Sequence, residues 1–260
     1  HVIGRRLTGT RVRQGALRWP VPHDLDTRVR GWAVADLWRR GKYLVFTLTR
    51  EGHPPLHLLG HLGMSGSLRL TASDTPPGKH DHLDLDFDNG LSLRLRDPRR
   101  FGALLIADHP ATHPLIAVLG IEPFDAAFDA EWLHARTRKR STAIKTFLMD
   151  AHQIVGVGNI YANEALFHAG IDPRTPAGKL SHPRCARLVA AIQDTLRRAI
   201  EAGGSSLRDF VDSAGQPGYF QQTYFVYGRD TKPCRRCGTP IRRGVQSGRA
   251  SFYCPSCQTR

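Results

Sequence analysis

Four cysteines near the C-terminus constrain this chain more than any other feature. Cys234-x2-Cys237 and Cys254-x2-Cys257 are two close pairs separated by sixteen residues. Each pair suits a tight knuckle turn, and two knuckles supply four thiolates in a tetrahedron around one Zn2+. Such a site is closed, with no open position for water, so the metal it implies is structural. Disulfide scaffolds are mostly short and secreted. A 260-residue chain whose only other cysteine, Cys185, stands alone points instead to a reducing compartment. Between the pairs, residues 238–241 read as a strand, 242–249 as a basic turn and 250–253 as a second strand. That reading places Arg242, Arg243 and Arg249 near the tip of a rigid hairpin, where they can probe phosphate.

The charge balance agrees with a phosphate partner. Thirty-seven Lys and Arg against 23 Asp and Glu give a formal net charge of +14. A polyanion, most simply nucleic acid, is the expected partner. No run approaches the ~18–20 apolar residues of a membrane span, and no signal peptide opens the sequence. A membrane partner is therefore not expected.

Upstream of the cysteines the hydrophobic period changes once. The first hundred or so residues read as strands. Lys42-Tyr43-Leu44-Val45-Phe46-Thr47-Leu48 is rich in β-branched and aromatic residues. Leu83, Leu85 and Phe87 alternate with Asp84 and Asp86. Asn89-Gly90 then signals a tight hairpin turn, and Leu91, Leu93 and Leu95 alternate with Ser92, Arg94 and Arg96. The leucine face should pack on a second sheet, and the aspartates should form a solvated face rather than a metal site. A connector rich in Pro, His and Asp covers about 107–125. Beyond it the pattern is helical, most clearly from Ser181 to Gly204. Ser181 can cap that helix and Pro183 fits its first turn. Cys185, Leu188, Ala191, Ile192, Thr195, Leu196, Ala199 and Ile200 form one core-facing stripe, with Gly203-Gly204 at its end.

Three further segments carry chemistry. Gly156-Val157-Gly158-Asn159 precedes a helical stretch, so backbone and helix N-terminus can approach a phosphate. His61-Leu62-Gly63-Met64-Ser65-Gly66-Ser67-Leu68 and Arg96-Asp97-Pro98-Arg99-Arg100-Phe101-Gly102 mix basic, aromatic and flexible apolar residues after strands. An exposed Met or Phe beside arginines can wedge into a base stack; by composition alone, ordinary core packing explains them better.

These blocks, taken together, resemble the formamidopyrimidine-DNA glycosylase family. The matching blocks are Gly-Lys-Tyr-Leu from Gly41, His-Leu-Gly-Met-Ser-Gly-Ser-Leu from His61, Lys-His-Asp-His from Lys79 and Asp-Pro-Arg-Arg-Phe-Gly from Asp97. They continue with Thr-Ala-Ile-Lys from Thr142, Val-Gly-Val-Gly-Asn-Ile-Tyr-Ala from Val155, Pro-Gly-Tyr-Phe from Pro217 and the four-cysteine ribbon. They follow the family's order along essentially the whole chain. The related endonuclease VIII branch, whose substrates are oxidised pyrimidines, is the runner-up. It lacks the Asp-Pro-Arg-Arg-Phe-Gly and Pro-Gly-Tyr-Phe patterns.

The resemblance implies an α+β fold: an N-terminal β-sandwich over 1–118, a helical helix-two-turn-helix DNA-binding domain over 126–225 and a zinc-ribbon hairpin over 226–260. It implies a monomer acting on double-stranded DNA that contains oxidised purines or abasic sites, in the cytoplasm and at the nucleoid. Such enzymes flip 8-oxoguanine or a formamidopyrimidine out of the duplex. By position Met64 and Phe101 fill the vacated stack, and Arg99 donates to the widowed cytosine. His80, Arg140, Lys145 and Asn159 match backbone contacts. Lys42 and Arg249 match both backbone contacts and the acid/base groups of strand cleavage. Arg140 stands where the family usually has Lys. Gly215, Pro217, Gly218, Tyr219 and Phe220 match a loop that closes over the flipped base.

The family nucleophile is an N-terminal proline amine, which attacks the sugar C1′ beside a proton-moving Glu. The sequence opens at His1-Val2-Ile3-Gly4, which matches a point about 15 residues into that pattern. Two function classes follow: a bifunctional glycosylase and lyase, or a damage-binding protein that keeps the cleft, wedge and ribbon without the nucleophile.

Overall fold

The computed structural model describes residues 1–203 and 224–260. Among these, residues 1–117 form one compact unit, and residues 118–203 with 224–260 form a second. No helix among the described residues is long and apolar enough to cross a membrane.

The first unit is built from two four-stranded antiparallel sheets. One has the order β1 (Leu7–Val12), β6 (Asp81–Phe87), β7 (Leu91–Arg96), β5 (Ser67–Ala72). The other runs β2 (Ala33–Arg40), β3 (Tyr43–Thr49), β4 (Leu56–His61), β8 (Ala103–Ala107). A short helix, α1 (Leu25–Val29), follows β1, and α2 (Pro114–Ala117) ends the unit. Period-two alternation does what it should. Leu83, Leu85, Phe87, Leu93 and Leu95 are buried with Phe46, Leu48 and Leu58 in one core. Gly90, at positive φ, makes the turn between β6 and β7.

The opposite face of that hairpin departs from expectation. Asp84 is fully buried rather than solvated. Arg13 and Arg94 each clasp it in a two-pronged pair, with N···O distances of 2.6 to 3.0 Å. Arg94 also donates to the carbonyl oxygens of Thr75 and Pro76. Alternation reports which residues share a face, not whether a loop covers it. Here the segment around Thr75 covers it, and the carboxylate survives burial because every lone pair finds a cation.

In the second unit α3 (Ala130–Thr137), α4 (Ile144–Leu148), α5 (Asn159–His168) and α6 (His182–Glu201) surround a core that includes Phe128, Leu133, Leu148, Leu166 and Leu188. Ser181 is the N-cap of α6, yet its side chain makes no capping bond. Cys185, Leu188, Ile192, Thr195, Leu196 and Ala199 are buried as the stripe requires, and Val189 joins them. Ile200 does not: it is 65% exposed. Gly203, at positive φ, follows the helix end. The hairpin β9 (Arg242–Gln246) and β10 (Arg249–Tyr253) completes this unit.

Candidate nucleic-acid interface

Two loops cross between the sheets of the first unit. Residues 62–66 lead from β4 to β5, and residues 97–102 lead back from β7 to β8. Because β4 pairs with β8 and β5 with β7, both loops leave the same end of the sandwich, side by side. Their backbones touch closely: a Cβ on Gly63 would lie 2.5 Å from the Phe101 carbonyl carbon. Gly63 also has positive φ, so two constraints demand glycine there. From this base Met64 stands 66% exposed and Phe101 46% exposed. The Arg99 guanidinium lies over the Phe101 ring at 5.4 Å. Large apolar side chains so placed, one of them under a guanidinium, are poor core residues and good wedges.

Beneath the tips, the Ser65 hydroxyl donates to Asp97 Oδ1 at 2.8 Å and the Gly102 N–H donates to Oδ2 at 2.7 Å. His61 Nδ1 accepts from the Gly63 N–H at 2.9 Å. Burial, reinforced by the nearby Arg18 and Lys42 cations, pushes the His61 imidazole down to about 4, so it is neutral at physiological pH and able to accept that bond. His80 is half-buried, with its carbonyl oxygen bonded to the Asp97 N–H, and Lys42 is exposed just beyond β2.

In the second unit Asn159 is the first residue of α5, whose N-cap Gly158 brings no side-chain bond. That leaves the helix N-terminus for an incoming acceptor. Arg140 is exposed on the link between α3 and α4. Lys145 is buried instead: its Nζ donates to the Ala250 carbonyl oxygen and to the Ser251 hydroxyl, each at 2.7 Å. Its third proton remains for a cavity of about 230 Å³ lined by Lys145, Thr146, Gln246, Ser247 and Arg249 among others. Burial, then repulsion from Arg249, lowers the Lys145 ammonium to about 8.

The ribbon hairpin turns at Ser247-Gly248, both at positive φ, as a two-residue hairpin turn requires. Arg249 therefore sits beside the tip, as expected. Arg242 and Arg243 do not: they pair with Tyr253 and Phe252 at the cysteine end of the strands. A basic run reads as a turn from polarity, but an exposed strand can be equally polar, and the Ser-Gly pair sets the turn.

The Sγ atoms of Cys234, Cys237, Cys254 and Cys257 all lie within 4.8 Å of one another, with Cys234–Cys257 at 4.0 Å and Cys237–Cys254 at 3.5 Å. Four thiolates at ~2.3 Å from a central zinc have sulfurs about 3.8 Å apart, so the cluster fits the ion. Gly215, Pro217, Gly218, Tyr219 and Phe220 lie outside the described residues.

Family models described as the formamidopyrimidine-DNA glycosylase N-terminal domain and H2TH domain match residues 1–104 and 119–211. A third, a zinc finger found in FPG and IleRS, matches residues 232–260. A formamidopyrimidine-DNA glycosylase of Thiobacillus denitrificans is 58% identical over 255 residues, covering 98% of this chain and 93% of that one. The chain belongs to the formamidopyrimidine-DNA glycosylase family. Its relative from Cupriavidus pinatubonensis is 52% identical over 99% of this chain and 94% of its own. The Lactococcus lactis Fpg solved with DNA containing an abasic site superposes with a TM-score of 0.90 at 31% identity, covering 100% of this chain and 94% of that one. The MutM (Fpg) protein of Thermus thermophilus gives 0.86 at 35% identity, covering 99% and 92%. With the zinc-finger match, the four cysteines are the site of one structural zinc.

Sequence reading missed the polar residues that brace this glycosylase-family interface. Glu164, buried on α5, accepts the N–H groups of Phe225, Val226 and Tyr227 at 2.8 to 3.0 Å. Burial raises its carboxyl above the usual range, against the pull of those three bonds. Its neighbour Asn163 accepts the Phe252 N–H at 2.7 Å and so ties β10 to α5. The one available signal was an Asn-Glu pair inside an apolar helical stretch.

Proposed function

We infer that the chain carries out base-excision repair of oxidised purines in duplex DNA, as a bifunctional DNA glycosylase and lyase acting on 8-oxoguanine and formamidopyrimidines. The observation that carries this reading is the pair of crossover loops exposing Met64 and Phe101, with Arg99 over the Phe101 ring. A buried base cannot reach an active site without leaving the stack, and something must fill the gap it leaves. Met64 and Phe101 supply that apolar surface, and Arg99 supplies donors to the orphaned base. Solved Lactococcus lactis relatives hold DNA containing an abasic site or Fapy-dG, which fits this substrate.

The remaining roles follow from position. Lys42, His80, Arg140, Lys145, Asn159 and Arg249 hold the phosphate backbone, each cation neutralising one charge and Asn159 offering a helix N-terminus. Lys42 and Arg249 serve again in proton transfer during β- and δ-elimination. The segment holding Gly215, Pro217, Gly218, Tyr219 and Phe220 closes over the flipped base. The ribbon zinc makes Arg249's hairpin rigid and takes no part in bond breaking. The protein works as a monomer in the cytoplasm, at the nucleoid.

Release of 8-oxoguanine from a duplex, followed by nicking on both sides of the sugar, tests the reading. The assay is run on protein that begins with the Pro-Glu start the family uses. Borohydride should then trap a covalent adduct. Release of oxidised pyrimidines with purines left intact would contradict the assignment.

A further inference from the structure

We propose that Asp97 is a positioning residue that clamps the two crossover loops into one preformed wedge, so that Met64, Arg99 and Phe101 enter the base stack together. The proposal rests on the extrusion reading above and deepens it. Asp97 is fully buried, and its two carboxylate oxygens serve different loops. Oδ1 accepts the Ser65 hydroxyl, one residue after Met64. Oδ2 accepts the Gly102 N–H, one residue after Phe101. Its backbone joins a third segment, because the Asp97 N–H donates to the His80 carbonyl oxygen at 3.0 Å and the Asp97 carbonyl oxygen receives His82 Nε2 at 2.8 Å. Ser65 is 2% exposed, so this is an interior bond and not a surface contact.

The β4–β8 and β5–β7 pairs fix the bases of the loops, and Asp97 joins them beyond those bases. The loops meet backbone to backbone, with glycines where a side chain would collide. A Cβ on Gly63 would lie 2.6 Å from the Phe101 carbonyl oxygen, and one on Gly102 would lie 2.9 Å from that of His61. Where backbones meet this closely, a two-oxygen acceptor that bonds to both loops fixes their spacing. A wedge that is already set spends none of its insertion free energy on ordering itself. Geometry, not charge, is the requirement. An asparagine could satisfy it, its carbonyl oxygen accepting Gly102 N–H while its amide donates to Ser65 Oγ.

The test uses a duplex with a tetrahydrofuran abasic site beside 2-aminopurine, whose fluorescence rises as the stack opens, and an undamaged duplex for comparison. Ser65→Ala and Asp97→Ala should slow that rise about ten-fold, as Met64→Ala does, while affinity for undamaged duplex stays within about two-fold. Asp97→Asn should restore the rise. Ser65→Ala added to Met64→Ala should cost nothing more, since both act through one wedge. If Asp97→Ala does not fold, Ser65→Ala decides alone. A wild-type rise from Ser65→Ala beside a slowed Met64→Ala overturns the clamp and leaves the function standing. A wild-type rise from Met64→Ala overturns the extrusion reading itself. Equal losses on both duplexes, or no rescue by Asp97→Asn, also count against the proposal.

Discussion

Lys145 donates to the carbonyl oxygen of Ala250 at 2.7 Å, and so joins α4 to the strand that begins with Arg249. Its ammonium titrates near 8, charged below that value and neutral above it. A phosphate in the adjoining cavity requires the charged form. DNA affinity should therefore fall about five-fold between pH 7 and pH 9 as this cation is lost. Lys145→Arg, charged throughout, should hold its affinity over the same range. Dissociation constants at fixed ionic strength check this; a flat wild-type profile would contradict it.

His61 makes the sandwich acid-sensitive. Its folded-state value of about 4 lies below the ordinary imidazole value of 6.5, so the unfolded chain binds the proton more tightly. Stability present above pH 6.5 is lost as pH falls toward 4, by on the order of 2 kcal/mol after allowing for solvent screening. Protonation also abolishes the acceptor for the Gly63 N–H. His61→Asn, which keeps an acceptor but does not titrate, should lose correspondingly less. Urea midpoints for the first unit at pH 7 and pH 4.5 measure the difference, and equal losses would remove the explanation.

Zinc removal should unfold the ribbon and abolish tight DNA binding while the first unit stays folded. Among the described residues the hairpin shares a small core with α5 that includes Phe167, Val226, Ile241 and Phe252, and the four thiolate bonds hold its two knuckles. Chelation followed by circular dichroism and a binding titration is sufficient. Undiminished affinity after metal loss would show that the ribbon is no DNA element.

Arg249→Ala should weaken damaged and undamaged duplex alike and reduce the salt slope by about one. A change in lesion choice with an unaltered slope would mean that Arg249 reads the base instead of a phosphate.

The sequence made the large features of this fold legible. Alternation located β6 and β7, Asn89-Gly90 located their turn, and cysteine spacing located the metal. Each is a local signal with a short period. What stayed hidden depends on contacts distant in sequence. Nothing near Asp84 announces that Arg13 will reach it from just beyond β1, and nothing near Asp97 announces Ser65. Resemblance alone marked Met64 and Phe101 as wedge candidates, because composition favours burial; the crossover loops expose both. Arg242 and Arg243 were misplaced because polarity cannot separate an exposed strand from a turn.

The central claim is that this surface recognises a damaged base in duplex DNA, and a competition titration tests it most directly. The chain is bound to a labelled duplex carrying 8-oxoguanine opposite cytosine, then challenged with unlabelled copies that are either damaged or intact. The account predicts that the damaged competitor displaces the label at a concentration at least about ten-fold lower, since only a base that leaves the stack easily lets the wedge seat fully. Equal displacement by both competitors would contradict it.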